Sequence, residues 1–186
     1  METALKAPIA LSGNEQPEKI SMAIMDEALH YYGKFVSDML RWAMFMPTPL
    51  GLLGEFRVED EGENAGMFNI RTHGIDPLVA SIRAFSVSKG IFERSTLKCL
   101  FLLRMKRIIS VDMEKELAKA YDYFMGFLLR QDVSGHAAGN PDWVRPSHLA
   151  REERVKIREA MKIVERFQKY IYEDRIKEQS DRIFQP

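Results

Sequence analysis

Four histidines, one cysteine and a short acidic run are the side chains of this sequence best suited to chemistry. His30, His73, His136 and His148 stand in different parts of the chain, with no i, i+4 histidine pair to share a metal ion. His148 and Glu152 are one helical turn apart, yet no further Cys or His lies near enough in sequence to complete a tetrahedral ligand set. Glu59, Asp60, Glu61 and Glu63 are strung along one turn. A hard cation needs oxygens that converge on a point, so this cluster reads as a solvated loop tip. Cys99 sits between Leu97, Leu100 and Phe101 and reads as a small core residue. There is no P-loop, no dinucleotide-binding glycine triplet, no nucleophile-elbow serine and no pair of aspartates two residues apart. No metal or cofactor is expected from these residues.

The elements that would position any site are mostly helical. Ile24, Ala28, Tyr31, Tyr32, Phe35, Val36, Met39, Trp42 and Ala43 recur at three- and four-residue steps. This predicts a long helix over about 17–46, opened by Pro17 and ended by Pro47 and Pro49. Residues 1–16 show no sustained period and read as a mobile tail. In 53–59, Phe56 and Val58 alternate with charged residues; in 67–72, Phe68 and Ile70 alternate with Asn69 and Arg71. Two such segments joined by a Gly-containing acidic stretch predict an antiparallel β-hairpin at about 53–72. A lone hairpin is marginal in water, so its apolar side must lie against helices.

Four more helices follow. Asp76 as N-cap, Pro77 in the first turn and Gly90 as stop predict one over 77–89. Ser95 caps a helix over 96–106, Ser110 caps another over 111–131, and a last runs over 148–178 from a start near Ser147. Between them, Val133–Pro146 holds Gly135, Gly139, Pro141 and Pro146 and reads as a mobile loop that Trp143 pins to the bundle. The expected fold is mainly α, a bundle of about five helices with one inserted β-hairpin, forming a single domain over 17–186.

Composition narrows the function classes. The 186 residues carry 27 Lys+Arg against 27 Asp+Glu, so no net basic field attracts nucleic acid or an anionic membrane. No apolar run reaches the roughly 18 residues of a membrane span. One Cys fits a reducing compartment, and the N-terminus shows no signal-peptide pattern. The expectation is a soluble cytoplasmic protein.

The run 68–91 resembles the start of the helical substrate-binding domain of nucleotidyltransferases similar to the uridylyltransferase that modifies the nitrogen-regulatory PII protein. These are built with CBS pairs or cyclic-nucleotide-binding domains. Ile70, Arg71, Gly74, Pro77, Arg83, Gly90 and Ile91 carry the likeness. It continues through Pro49–Phe56, Ser95–Leu97, Ala120–Phe124 and Pro146–Arg154, so that it spans about 49–171. The departures are specific. The Gly-Ser turn and paired aspartates of the transferase core, which bind nucleotide phosphates and two metal ions, are absent. Asn69 stands where the family carries an aspartate, and Gly126–Leu129 where it is often arginine-rich, leaving Arg130.

The resemblance implies a domain that binds a substrate or a protein and performs no chemistry itself. Arg71, Arg83, Arg130 and Arg154 are its expected substrate-binding residues, each offering a guanidinium fork to a phosphate or carboxylate. A long side chain that snorkels past apolar neighbours is the structural alternative for each. Expected partners are a nucleotidyltransferase core, a PII-like protein or a second copy of the chain. The alternative function is a helical interaction or dimerisation module without a small-molecule ligand.

Overall fold

A computed structural model describes residues 17–51, 53–134 and 142–184. Among them are five helices and one antiparallel strand pair: α1 (Pro17–Met44), β1 (Phe68–Asn69), α2 (Asp76–Ser88), α3 (Thr96–Met105), α4 (Val111–Ser134), β2 (Trp143–Val144) and α5 (Arg151–Phe184). The fold class is therefore mainly α, with a two-stranded antiparallel element set among helices. The expected tail, residues 1–16, lies outside the described residues, as do 135–141 of the expected mobile loop.

The chain divides into two compact units, Met1–Phe35 and Val36–Pro186. The described part of the first is the helix over 17–35. Met25, Leu29, Tyr31, Tyr32 and Phe35 are all exposed on it.

The second unit holds the core. Phe68, Leu78, Ile82, Phe85, Leu100, Leu103, Phe124, Phe127 and Phe167 are fully buried. Phe85 meets Phe167 and Tyr170 edge-on, with centroids 5.8 Å and 5.9 Å apart, the geometry that aromatic quadrupoles favour. The last turns of α1 bury Leu40 and Ala43. Helix termini leave carbonyls without intrahelical donors. Here the buried Gln168 of α5 supplies them: its Nε2 donates to Ala43 O at 2.9 Å and Met46 O at 3.0 Å.

Local signals set most helix ends. The Ser95 hydroxyl accepts from Lys98 N–H, and the Ser110 hydroxyl from Met113 N–H at 3.1 Å. At the end of α2, Gly90 has φ +71°, Gly90 N–H donates to Val87 O and Ile91 N–H to Ser86 O, a Schellman ending. Asp76 does not cap α2 as expected. A single π turn over Arg71–Ile75 runs straight into the helix, so Ile75 is already helical where a cap would break away. The side-chain cap lies upstream, where Asn69 Oδ1 accepts from Thr72 N–H at 3.0 Å. The last helix also begins later than expected. A 3₁₀ turn over Pro146–His148 precedes it, and Glu153 reaches back to accept from Ala150 N–H at 3.2 Å.

The strand pairing is corrected. Residues 53–59 form no strand, and the ladder of Phe68–Asn69 is made with Trp143–Val144 instead. Phe68 stands opposite Val144 and Asn69 opposite Trp143, with Ile70 N–H donating to Asp142 O at 2.8 Å. The upstream segment makes tight turns and isolated bridges with residues 49–51 and 65–67 rather than a ladder. Gly51 N–H donates to Glu55 O and Gly54 N–H to Gly51 O; beyond them, Glu59 N–H donates to Met67 O and Gly66 N–H to Glu59 O. Gly54, Gly62 and Gly66 take positive φ to make these turns. Phe56, Phe68 and Ile70 still face the core as expected, with Phe56 stacked on Phe68 at 5.2 Å. Val58 is half-buried and lies outside the core cluster.

Candidate functional site

The four arginines singled out by the sequence sit on four different elements. Arg71, on the π turn, grips Asp142 through two hydrogen bonds of 2.8 Å and 3.0 Å. Arg83, exposed on α2, donates to Arg94 O at 2.7 Å and so ties down the turn before α3. Arg130, exposed near the end of α4, lies over the Phe127 ring at 6.0 Å. Arg154 is half-buried in the first turns of α5. Two of the four thus hold neighbouring segments together, and Arg130 covers an aromatic ring.

Arg154 belongs to a second group that sequence reasoning missed. Arg158 follows it by one turn of α5 and Lys162 by two, which places the three on one face. Arg158 Nε donates to Gly54 O at 2.6 Å, and its guanidinium lies over the Phe56 ring at 5.2 Å. Lys162 approaches the same glycine: its Nζ is 3.7 Å from where a Cβ on Gly54 would stand. Arg145, directly after β2, is half-buried, with Nη1 only 2.6 Å from the place of a Cβ on Gly66. The four-residue spacing on α5 was the available signal. Arg145 gave none, because its position depends on a strand pairing between distant segments.

Several titratable groups are shifted by their surroundings. Burial lowers the Lys89 ammonium, but hydrogen bonds and attraction from Asp174 and Glu178 outweigh it and hold the pKa above the usual lysine value. Burial raises Tyr123, whose hydroxyl donates to Glu153 O at 3.3 Å, and also Tyr170. Backbone N–H groups of Ser95 and Arg94 lower Glu93. These groups stabilise turns and helix packing.

Among the described residues, no group of three or more His, Cys, Asp or Glu is placed to hold a metal ion. No helix there is long and apolar enough to cross a membrane. Cys99 is buried, its Sγ 3.4 Å from Glu93 O. A shallow cavity of about 270 Å³ lies between the last turns of α1 and α5, lined by Arg41, Met44, Phe45, Tyr172, Arg175 and Ile176.

A family model described as "Putative nucleotidyltransferase substrate binding domain" matches residues 33–174. No curated protein and no solved structure matches the chain.

Proposed function

The chain belongs to the family of nucleotidyltransferase substrate-binding domains, and on that premise we propose that it recognises the acceptor for a transferase core. In this reading the chain binds and positions, while the Gly-Ser turn and paired aspartates of a transferase core perform the transfer. The uridylyltransferase likeness makes a PII-like signalling protein the acceptor class to try first.

The observation that carries the docking half of this reading is the apolar face of α1. Met25, Leu29, Tyr31 and Phe35 are 55–63% exposed within eleven residues. Met25, Leu29 and Tyr32 follow at steps of four and three, the spacing of a seam that packs against another helix. An apolar run of this kind marks a protein-binding surface, and a transferase core is the partner that the family's description supplies. The same seam supports a second reading, self-association of two copies through α1.

One experiment separates them. The chain is run alone, and then with a transferase core carrying the Gly-Ser turn and paired aspartates, on size exclusion with light scattering. A monomer that forms a one-to-one complex supports the core-docking reading. A stable dimer that excludes the core supports self-association and overturns it, and a monomer that binds no core overturns both.

A further inference from the structure

Thr48, Gly54 and Phe56 lie against α5, and the long side chains that meet the last two are cationic. Arg158 and Lys162 flank Gly54, whose φ is +77°. Arg158 also covers Phe56, which stacks on Phe68. Val144 stands opposite Phe68, and Arg145, the next residue, lies against Gly66, two residues before Phe68. Arg154 adds a fourth cation one turn before Arg158. Arg145, Arg154 and Arg158 are half-buried.

Among the described residues none of these four meets a carboxylate within ion-pair distance, whereas Arg71, Lys89, Arg104 and Arg166 each do. The nearby acids are otherwise engaged or exposed. Glu55 turns back to accept from Leu53 N–H at 3.0 Å, Glu165 accepts from the Thr48 hydroxyl, and Glu59, Asp60, Glu61 and Glu63 are exposed. Like charges grouped at a half-buried surface repel one another, and reduced contact with water weakens the screening. A multivalent anion relieves that repulsion. Three guanidinium forks suit phosphate oxygens in particular, because each can present two parallel N–H donors, and the lysine adds a mobile point charge.

We propose that Arg145, Arg154, Arg158 and Lys162 form a binding site for a phosphate-bearing ligand, set between the glycine turns of residues 54–66 and the first half of α5. The two glycines matter because a side chain at Gly66 would collide with the Arg145 guanidinium, and positive φ at both lets the loop backbone lie close beneath the cations. The phosphate is that of a nucleotide or of a phosphorylated acceptor. The proposal names the ligand chemistry of the substrate-binding reading and rests on that reading only for its biological role.

The test is calorimetric titration of the full chain at low salt with inorganic triphosphate, ATP and a sugar phosphate. Saturable one-to-one binding of triphosphate is expected. The double variant R154Q/K162Q weakens it by about tenfold or more. R145Q provides an independent lesion, and Arg158 is left in place because it anchors the Gly54 turn. The variant K115Q/K119Q on α4 removes the same charge and changes affinity less than about twofold. ATP binding tighter than triphosphate assigns the site to a nucleotide. Equal affinity for the two, or preference for the sugar phosphate, assigns it to the phosphate of an acceptor. Absence of saturable binding by folded protein, or equal loss in the α4 control, overturns the proposal. Triphosphate binding by a chain that associates with no transferase core leaves the site standing and removes the transferase role; core association without anion binding does the reverse.

Discussion

Arg71 and Asp142 lie far apart in sequence, yet they meet as a two-pronged pair: Nε to Oδ2 at 2.8 Å and Nη2 to Oδ1 at 3.0 Å. The carboxylate is the more enclosed partner, its side chain 16% exposed against 52% for the arginine. The pair closes the end of the β1–β2 ladder, where Ile70 N–H also reaches Asp142 O. A residue expected to bind substrate therefore also fastens the strand element. Solvent access to the arginine keeps its contribution small. Replacing Arg71 by Gln or Asp142 by Asn should each cost about 1 kcal/mol, and the double variant little more than either, in a urea-unfolding double-mutant cycle. Additive losses would show that the pair is not coupled.

How legible this arrangement was depended on sequence distance. Ser95, Ser110 and Gly90 act on backbone groups within five residues, so composition alone locates the ends they set. The alternation of Phe56, Phe68 and Ile70 correctly marked the apolar side. Nothing local announced that β1 pairs with Trp143–Val144. A short alternating segment has the same pattern whichever strand it joins, and the turns made by Gly51, Gly54 and Gly66 remove the nearer candidate. The cationic group shared this fate: Arg154, Arg158 and Lys162 are periodic on α5, but Arg145 joins them only through that pairing.

Lys89 sets an alkaline limit on stability. Its ammonium contacts Asp174 at 2.6 Å and Glu178 at 2.5 Å, linking the end of α2 to α5, and its folded pKa is raised. A cationic group with a raised folded pKa contributes fully below its unfolded value, about 10.4, and loses that contribution as pH rises through the folded value. The raised Tyr170 and Tyr123 act in the same direction above about pH 10, because the folded state retains their protons longer. Urea midpoints should therefore fall between about pH 9 and pH 11. Lys89→Met should lower the midpoint at the first pH and flatten the fall; an unchanged slope would remove Lys89 from the account.

Gly74 faces a ring that cannot retreat. A Cβ there would lie 3.0 Å and 3.2 Å from Cε1 and Cζ of Phe124, which is fully buried. Alanine ordinarily stabilises a helical position relative to glycine by about 1 kcal/mol. Here the close contact reverses the sign, because overpacking a filled core costs about 1–3 kcal/mol. Gly74→Ala should lose roughly 1 kcal/mol of stability overall, and adding Phe124→Leu should recover part of the clash. A stabilised single variant would show that the π turn shifts to make room.

The α1 face offers a prediction in which stability and binding respond differently. Met25 and Leu29 are 63% and 61% exposed, so their side chains contribute little packing. Substituting both by Gln should change the unfolding free energy by no more than about 0.5 kcal/mol, the range for surface positions. Their apolar area is what a partner helix would cover. Burying two such side chains is worth about 1.5–3 kcal/mol each, so complex formation should weaken by well over tenfold. The measurement is the affinity for the transferase core, or the dimer constant if the chain self-associates, beside the urea midpoint of the isolated chain. Unchanged association would move the interface off this face. A midpoint loss above about 1 kcal/mol would mean that Met25 and Leu29 pack within their own chain.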